Sequence, residues 1–301
     1  MNQIEIFHPG ERKVQHQAGA AYQADRIGKS IRSQIPGDFG AFLKEQPFVV
    51  ISSQDAEGKL WGSLVSGKPG FARLDSRTVI KIAANPVSGD PLAQNIGPGN
   101  PVGLLGIELA ARIRVRINGT MEPLPTGGFL IEAKEVFGNC PKYIQARNFE
   151  WVEGQAAGSL EEGATLTDFQ RRVIETADTF FIATIHPDAG LDASHRGGLP
   201  GFVRVTDDRN MTFPDYTGNN MFQTLGNITA DSRAGLLFLN FETGDTLQMT
   251  GTAKVDWNPD RAAEFPGANR VVDFQVEKVI QIKGAMPFNW ELVDYSPFNP
   301  Q

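Results

Sequence analysis

The chain has one cysteine, Cys140, in 301 residues, so no internal disulfide can form. Histidine is nearly as scarce. His8, His16, His186 and His195 lack the spacing of a metal motif, and with a single thiol no metal site is expected. Basic residues are outnumbered, 28 Lys and Arg against 35 Asp and Glu, for a net charge of −7. That balance argues against nucleic acid as a partner, because phosphate backbones demand clustered cations. Long apolar runs are missing too: the stretch from Val102 to Ile113 is broken by Glu108 and Arg112 and falls well short of the roughly 20 residues that cross a bilayer. Met1-Asn2-Gln3-Ile4-Glu5-Ile6 carries neither the basic nor the apolar segment of a secretory signal. These features together predict a cytoplasmic protein without a membrane partner. The Gly-x-Gly-x-x-Gly fingerprint does not occur, and Gly62 to Lys68 is one residue short of a P-loop, with Pro69 where a magnesium-binding hydroxyl would be required.

What the chain does have is repetition. Pro69-Gly70-Phe71-Ala72-Arg73-Leu74 returns as Pro200-Gly201-Phe202-Val203-Arg204-Val205, 131 residues on. Asn95-Ile96, Gly103-Leu104-Leu105 and Gly119-Thr120 return as Asn227-Ile228, Gly235-Leu236-Leu237 and Gly251-Thr252, each 132 residues on. Four short matches in one order define a duplicated domain, since a period this long belongs to paired domains and not to a solenoid. The length agrees, lying above the size at which one core stops growing. The expected division is an N-terminal arm over 1–36, a first domain over 37–150, a linker rich in Gly, Ala and Glu over 151–167, and a second domain over 168–301.

The arm is expected to hold one amphipathic helix from Glu11 to Ile27, and Gly37 opens a short helix that ends before Pro47. Strands are then expected at Phe48–Ser53, Leu60–Val65, Thr78–Ala83, Val102–Ile107, Arg112–Asn118 and Phe129–Val136. In the fifth, Arg112, Arg114 and Arg116 alternate with Ile113, Val115 and Ile117, which puts the arginines on one face. The second half predicts a helix over Asp168–Ala177 and strands at Phe180–Ile185, Gly201–Thr206, Met211–Phe213, Ala234–Asn240, Thr246–Val255 and Val271–Ile282. Short, mostly antiparallel strands with few short helices predict a mainly β chain with a small barrel in each half.

An anion site can be assembled from the second half. Arg204 lies on a strand, and Thr217-Gly218-Asn219-Asn220 reads as a turn opening a helix, whose free N–H groups together with a guanidinium satisfy a phosphate. Asp192-Ala193-Ser194-His195-Arg196-Gly197-Gly198 adds donors on a segment that reads as flexible. The same residues also fit a blander account, a solvated strand arginine and an ordinary helix cap. Cys140, before Pro141-Lys142, reads either as a redox partner or as a small buried hydrophobe.

The order of these segments resembles the pyridoxamine 5′-phosphate oxidase-like, FMN-binding split-barrel family, in particular its tandem flavin-nucleotide-binding type. The likeness is carried by Phe7-His8-Pro9-Gly10-Glu11-Arg12, Gly138-Asn139-Cys140-Pro141-Lys142-Tyr143, Ser194-His195-Arg196-Gly197-Gly198, Thr217-Gly218-Asn219-Asn220, Thr224-Leu225-Gly226-Asn227 and Tyr295-Ser296-Pro297-Phe298. The resemblance implies two tandem split β-barrels with FMN at the seam between barrels. Arg204, Thr217, Gly218, Asn219 and Asn220 would take the phosphate, and Ser194, His195 and Arg196 would lie along the ribityl chain or ring edge. Gln248 would face the cavity, and Lys142 and Tyr143 would reach in from the first barrel. In the first repeat the matching turn is Ser88-Gly89-Asp90-Pro91, where Asp90 repels a phosphate and Pro91 lacks an N–H, so the second half is expected to hold the better site. The vitamin B6 oxidases of this family have Arg-Lys where this chain has Asn219-Asn220-Met221, and an Arg-x-His where its tail reads Pro287-Phe288-Asn289-Trp290; a true pyridoxamine phosphate oxidase is therefore not expected. The family implies an FMN-dependent oxidoreductase acting on a small molecule, with NAD(P)H as a candidate partner, or a flavin carrier or sensor without turnover. A homodimer is the default if the seam lies between subunits, and an internal pseudo-dimer is the alternative for a duplicated chain.

Overall fold

A computed structural model describes residues 6–154 and 157–300; the signal-peptide reading of the N-terminus rests almost wholly on residues outside them. The arm forms α1 (Pro9–Gln17) and α2 (Ala21–Gly28), two helices where one was expected. Gly19 between them sits at φ +65, a left-handed conformation that ends a helix. α1 begins with a reciprocal cap, His8 accepting from the Glu11 N–H and the Glu11 carboxylate accepting from the His8 N–H. After α3 (Gly37–Glu45) the first barrel runs β1 (Phe48–Gln54), β2 (Leu60–Ser66), β3 (Ala72–Leu74), β4 (Val79–Ile82), α4 (Leu92–Asn95), β5 (Asn100–Glu108), β6 (Ile113–Pro123) and β7 (Phe129–Gly138).

Next come β8 (Ala146–Trp151), β9 (Leu160–Gly163) and α5 (Asp168–Thr176), then β10 (Thr179–His186), β11 (Gly190–Gly197), β12 (Arg204–Val205), β13 (Asn210–Asp215) and α6 (Gln223–Ala230). The chain finishes with β14 (Arg233–Leu239), β15 (Thr246–Asp256), α7 (Pro259–Ala263), β16 (Arg270–Ile282) and β17 (Phe288–Asp294). Part of the expected linker is therefore strand: β9 pairs with β16. The tail returns to pair β17 with β8.

Duplication is visible in the strand order. The first sheet runs β2-β1-β5-β6-β7-β4-β3 and the second β11-β10-β14-β15-β16-β13-β12, the same path with every strand replaced by its counterpart. Both sheets break register at the repeated glycine, between Asn118 and Gly119 and between Thr250 and Gly251. A Cβ on either glycine would lie 1.9 Å from the carbonyl oxygen of Glu132 or Gln275, so each bulge requires glycine. The mainly β, two-split-barrel class expected from the sequence is the one observed.

The two barrels pack on each other within one chain, which makes the seam internal. Val49 and Ile51 belong to the first barrel's core, whereas Phe48 and Val50 on the other face of β1 join Phe181, Leu237 and Leu239 of the second half in a shared core. That double burial explains the unbroken apolar run of β1. At the crossing of β5 over β11, a Cβ on Gly103 would lie 2.7 Å from the Ala193 nitrogen. At the matching crossing of β14 over β2, one on Gly235 would lie 2.4 Å from the Leu60 oxygen. Among the described residues no helix is long and apolar enough to cross a membrane.

Candidate functional site

A cavity of about 100 Å³ opens at one side of the seam. β6 of the first barrel supplies Arg114 and Arg116, and β11 of the second supplies Ser194, His195 and Arg196. Those β6 side chains sit on the alternate face from Val115 and Ile117, which fill the first barrel's core; the period-two pattern is thus the reason both guanidiniums point across the seam. Arg114 Nη1 donates to His195 Nδ1 at 2.9 Å. Arg116 pairs with Asp192 and lies 4.9 Å over the Phe137 ring. Arg196 donates to Asp215 at 2.7 Å, and Asp215 also faces Arg270 at 3.4 Å.

Three guanidiniums this close destabilise one another's charge. Burial, followed by the field of Arg196, lowers Arg114 to about 10, and burial followed by Arg114 and Arg196 lowers Arg116 to about 9. His195 is pushed well below its ordinary value by burial and then by Arg114 and Arg196. With Nδ1 accepting from Arg114, neutral His195 carries its proton on Nε2, which is buried without a partner. It therefore presents a donor to the cavity and no lone pair for a metal, and among the described residues no cluster of His, Cys, Asp or Glu could hold one. The Nε atoms of Arg114, Arg116 and Arg196 are also buried without partners. A surplus of unmet donors in a positive cavity is the chemistry of an anion site.

The remaining wall is the segment between β13 and α6. Asn219 donates to Asn139 at 3.0 Å and accepts from the Met221 N–H at 3.1 Å, which clamps this loop to the end of the first barrel. Asn220 and Phe222 hold φ +63 and +62, and Tyr143 holds +64; left-handed backbone at three non-glycine residues around one cavity is strain of the kind that collects at functional sites. α6 begins at Gln223, after Phe222, without a side-chain cap, so its first N–H groups, at Gln223, Thr224 and Leu225, stand at the cavity wall. Thr224 Oγ1 donates to Ser194 Oγ at 3.0 Å. Tyr143 packs on Tyr216 at 5.1 Å and its hydroxyl donates to the Thr217 carbonyl.

Of the residues expected from the sequence, Ser194, His195, Arg196, Gly218, Asn219, Asn220, Lys142 and Tyr143 are brought together here. The expected flexible segment around Ser194 is instead a buried strand, paired along its length with β10. Thr217 is exposed just outside, its Oγ1 accepting from Asn269. Arg204 is not at the site. β12 is a two-residue strand whose arginine turns outward, donates to the Glu264 carbonyl at 2.5 Å and lies 4.1 Å over Phe265. Gln248 is also elsewhere, donating to the Gly62 carbonyl at 2.8 Å and facing Ser63 and Asp90 in the other half of the seam. Arg114, Arg116, Asn139, Gln223 and Thr224 were not foreseen as cavity residues; the alternating arginines of β6 were the one signal for the first two.

Residues 166–284 match the family model described as pyridoxamine 5′-phosphate oxidase. The matched residues cover most of the second barrel, and the first barrel repeats its strand order. No curated protein matches the chain. Among solved structures, a putative pyridoxamine 5′-phosphate oxidase from Lactobacillus delbrueckii is 22% identical, covering 39% of this chain and 94% of its own, with a TM-score of 0.32. A FAD-binding protein from Mesorhizobium loti is 10% identical, covering 41% and 97%, at 0.28. HutZ, the heme storage protein from Vibrio cholerae, is 10% identical, covering 39% and 93%, at 0.29.

Proposed function

We propose that the chain binds a flavin mononucleotide non-covalently, anchoring its phosphate in the seam cavity, and that it works as a small-molecule oxidoreductase. The observation that carries this reading is the set of buried, partnerless donors on Arg114, Arg116, Arg196 and His195, which a dianionic phosphate would satisfy. The cavity has room for a phosphate group, and the open N-terminus of α6 adds a favourable field. Arg114 and Arg196 would hold the phosphate oxygens, and His195 Nε2 would donate a further hydrogen bond. Asn219 and Asn220 would keep the loop closed over that end of the ligand. When bound, the flavin supplies the electron transfer, so the protein's task is anchoring and orientation. Of the tail residues Pro287-Phe288-Asn289-Trp290, the last three pair with β8 in a two-stranded sheet, and Phe288 and Trp290 pack against Phe48, so no cationic grip of the B6-oxidase kind is offered there. One chain holds every residue of this site, so a second copy is not required to complete it.

The test is uptake of FMN by the purified chain, followed by absorbance and fluorescence quenching, with riboflavin as the phosphate-free control. FMN should bind far more tightly than riboflavin. Arg196→Ala and Arg114→Ala should each weaken FMN about tenfold to a hundredfold, the worth of a hydrogen bond to a charged group, with little effect on riboflavin. Equal affinity for the two flavins, or no uptake, would refute the phosphate anchor. Bleaching of the bound flavin by NADPH would support turnover, and a flavin inert to nicotinamides would leave a carrier.

A further inference from the structure

Behind the Arg116–Asp192 pair lies a second cavity, of about 150 Å³, closed on one side by the start of α1. Its character is the inverse of the first. The carboxyl groups of Glu11, Glu135 and Asp192 line it, together with the amides of Asn118 and Gln223. Gln223 lines both cavities, so the two adjoin.

Two acceptors at this cavity stand without partners. Asn118 Nδ2 is used by Glu135 and Asp192, at 3.3 Å each, which fixes the orientation of the amide and leaves Asn118 Oδ1 buried without a partner. Gln223 Oε1 is in the same condition, and both side chains belong to residues only 6% exposed. His8 contributes no charge. Its Nδ1 accepts from the Gly10 N–H at 3.1 Å, and burial, with the stacked His186 ring 3.8 Å away, lowers it to about 4. Arg116 is the guanidinium facing the carboxyl cluster, and it is already paired with Asp192; Arg12 acts on Glu11 from the outer side of α1.

We propose that this cavity binds the ammonium group of a small protonated primary amine. An ammonium has three N–H donors and no acceptor, matching the free oxygens of Asn118 and Gln223 and the carboxyl group of Glu135, and its charge offsets the excess of acid. A bare metal ion fits poorly, since the cavity is roomy and no cluster of metal-type ligands is drawn together among the described residues. The protonation of the empty cavity agrees: burial pushes Glu11 up to about 8, so this acid keeps its proton at neutral pH until a cation arrives, and burial shifts Glu135 in the same direction. An amine that enters should displace the Glu11 proton. The inference stands whether or not the neighbouring cavity takes a flavin.

The experiment is calorimetric titration of the full chain with ethylammonium chloride at pH 7, in two buffers of different ionisation enthalpy, neither of them a primary amine. Saturable binding is expected, with heats that differ between the buffers because protons are released. Tetramethylammonium, which has no N–H, and sodium should not reproduce it. Glu135→Gln should weaken binding at least about tenfold, the effect of removing one partner of a buried charge pair. Glu11→Gln, which keeps the acceptor for the His8 N–H, should reduce the proton release. The proposal fails if wild type shows no saturable heat, if tetramethylammonium binds equally well, or if Glu135→Gln folds and binds undiminished.

Discussion

Glu11 shows how one residue ties the arm to pH. Its carboxyl caps its own helix through the His8 N–H at 2.8 Å, and burial pushes it up to about 8 from an ordinary 4.5. Between those values the folded chain holds a proton that the unfolded chain has lost. Stability from this group is therefore full below about pH 4.5, falls as pH rises, and is gone above about pH 8, at a slope approaching 1.4 kcal/mol per pH unit inside the window. Glu135 is raised and Asp90 is raised to about 6, each chiefly by burial, so these three acids lose stability as pH rises, whereas His8 and His195, both lowered by burial, lose it as pH falls below about 6.5. Glu11→Gln removes one of these groups without removing its hydrogen bond. Its melting temperature should fall less than wild type's between pH 6 and pH 9. Parallel curves for the two proteins would mean that Glu11 ionises as freely in the folded chain as in the unfolded one.

At the level of elements, the crossings of the two sheets are set by glycine. A methyl group at Gly235 would meet the Leu60 oxygen at 2.4 Å and the Trp61 Cα at 3.0 Å, both backbone, so a shift of one strand is the only relief. Gly235→Ala should cost about 1–3 kcal/mol, as overpacking does, and lower the denaturant midpoint; an unchanged midpoint would show that the seam has slack. The repeated Gly-Leu-Leu and Gly-Thr motifs were legible because backbone contacts and bulges leave no substitute for glycine at these points, and the continuous apolar runs of β1 and β10 were legible because both faces are covered. β11 was not, and for a physical reason. Its Asp192, Ser194 and His195 are buried polar residues that meet partners across the seam and in the site, so neither apolar alternation nor composition marks it as a strand. The same cause hid half of the site. Lys142, Tyr143 and the Gly218-Asn219-Asn220 turn lie in segments with a local signature, whereas the alternation that puts Arg114 and Arg116 on one face of β6 does not say what packs against that face. Arg204 belongs to the repeat's most visible motif, but that motif is visible because Phe202 and Val203 fill the second barrel's core, while the Arg204 side chain faces outward.

Across the whole molecule, duplication has produced two halves of one seam that are related in position but opposed in chemistry. On the open side stand Arg116, Asp192 and Ser194; their counterparts at the repeat offset are Gln248, Trp61 and Ser63. Gln248 donates to Gly62, Ser63 and Asp90, Ser63 donates to Asp90 at 2.6 Å, and Trp61 packs against Ile280, Ile282 and Ala285. An amide replaces the guanidinium, an indole replaces the carboxylate, and a buried aspartate stands near the position of an incoming phosphate. An anion entering there would have to break three hydrogen bonds of Gln248 and then face Asp90 with no arginine to offset it. A homodimer of single barrels repeats each site by symmetry, but this chain has been free to keep one and seal the other. Titration with FMN should therefore saturate at one equivalent per chain, at the cavity that Arg114→Ala and Arg196→Ala weaken. Saturation at two equivalents, with only one of them sensitive to those arginines, would mean that the Gln248 side opens to ligand as well.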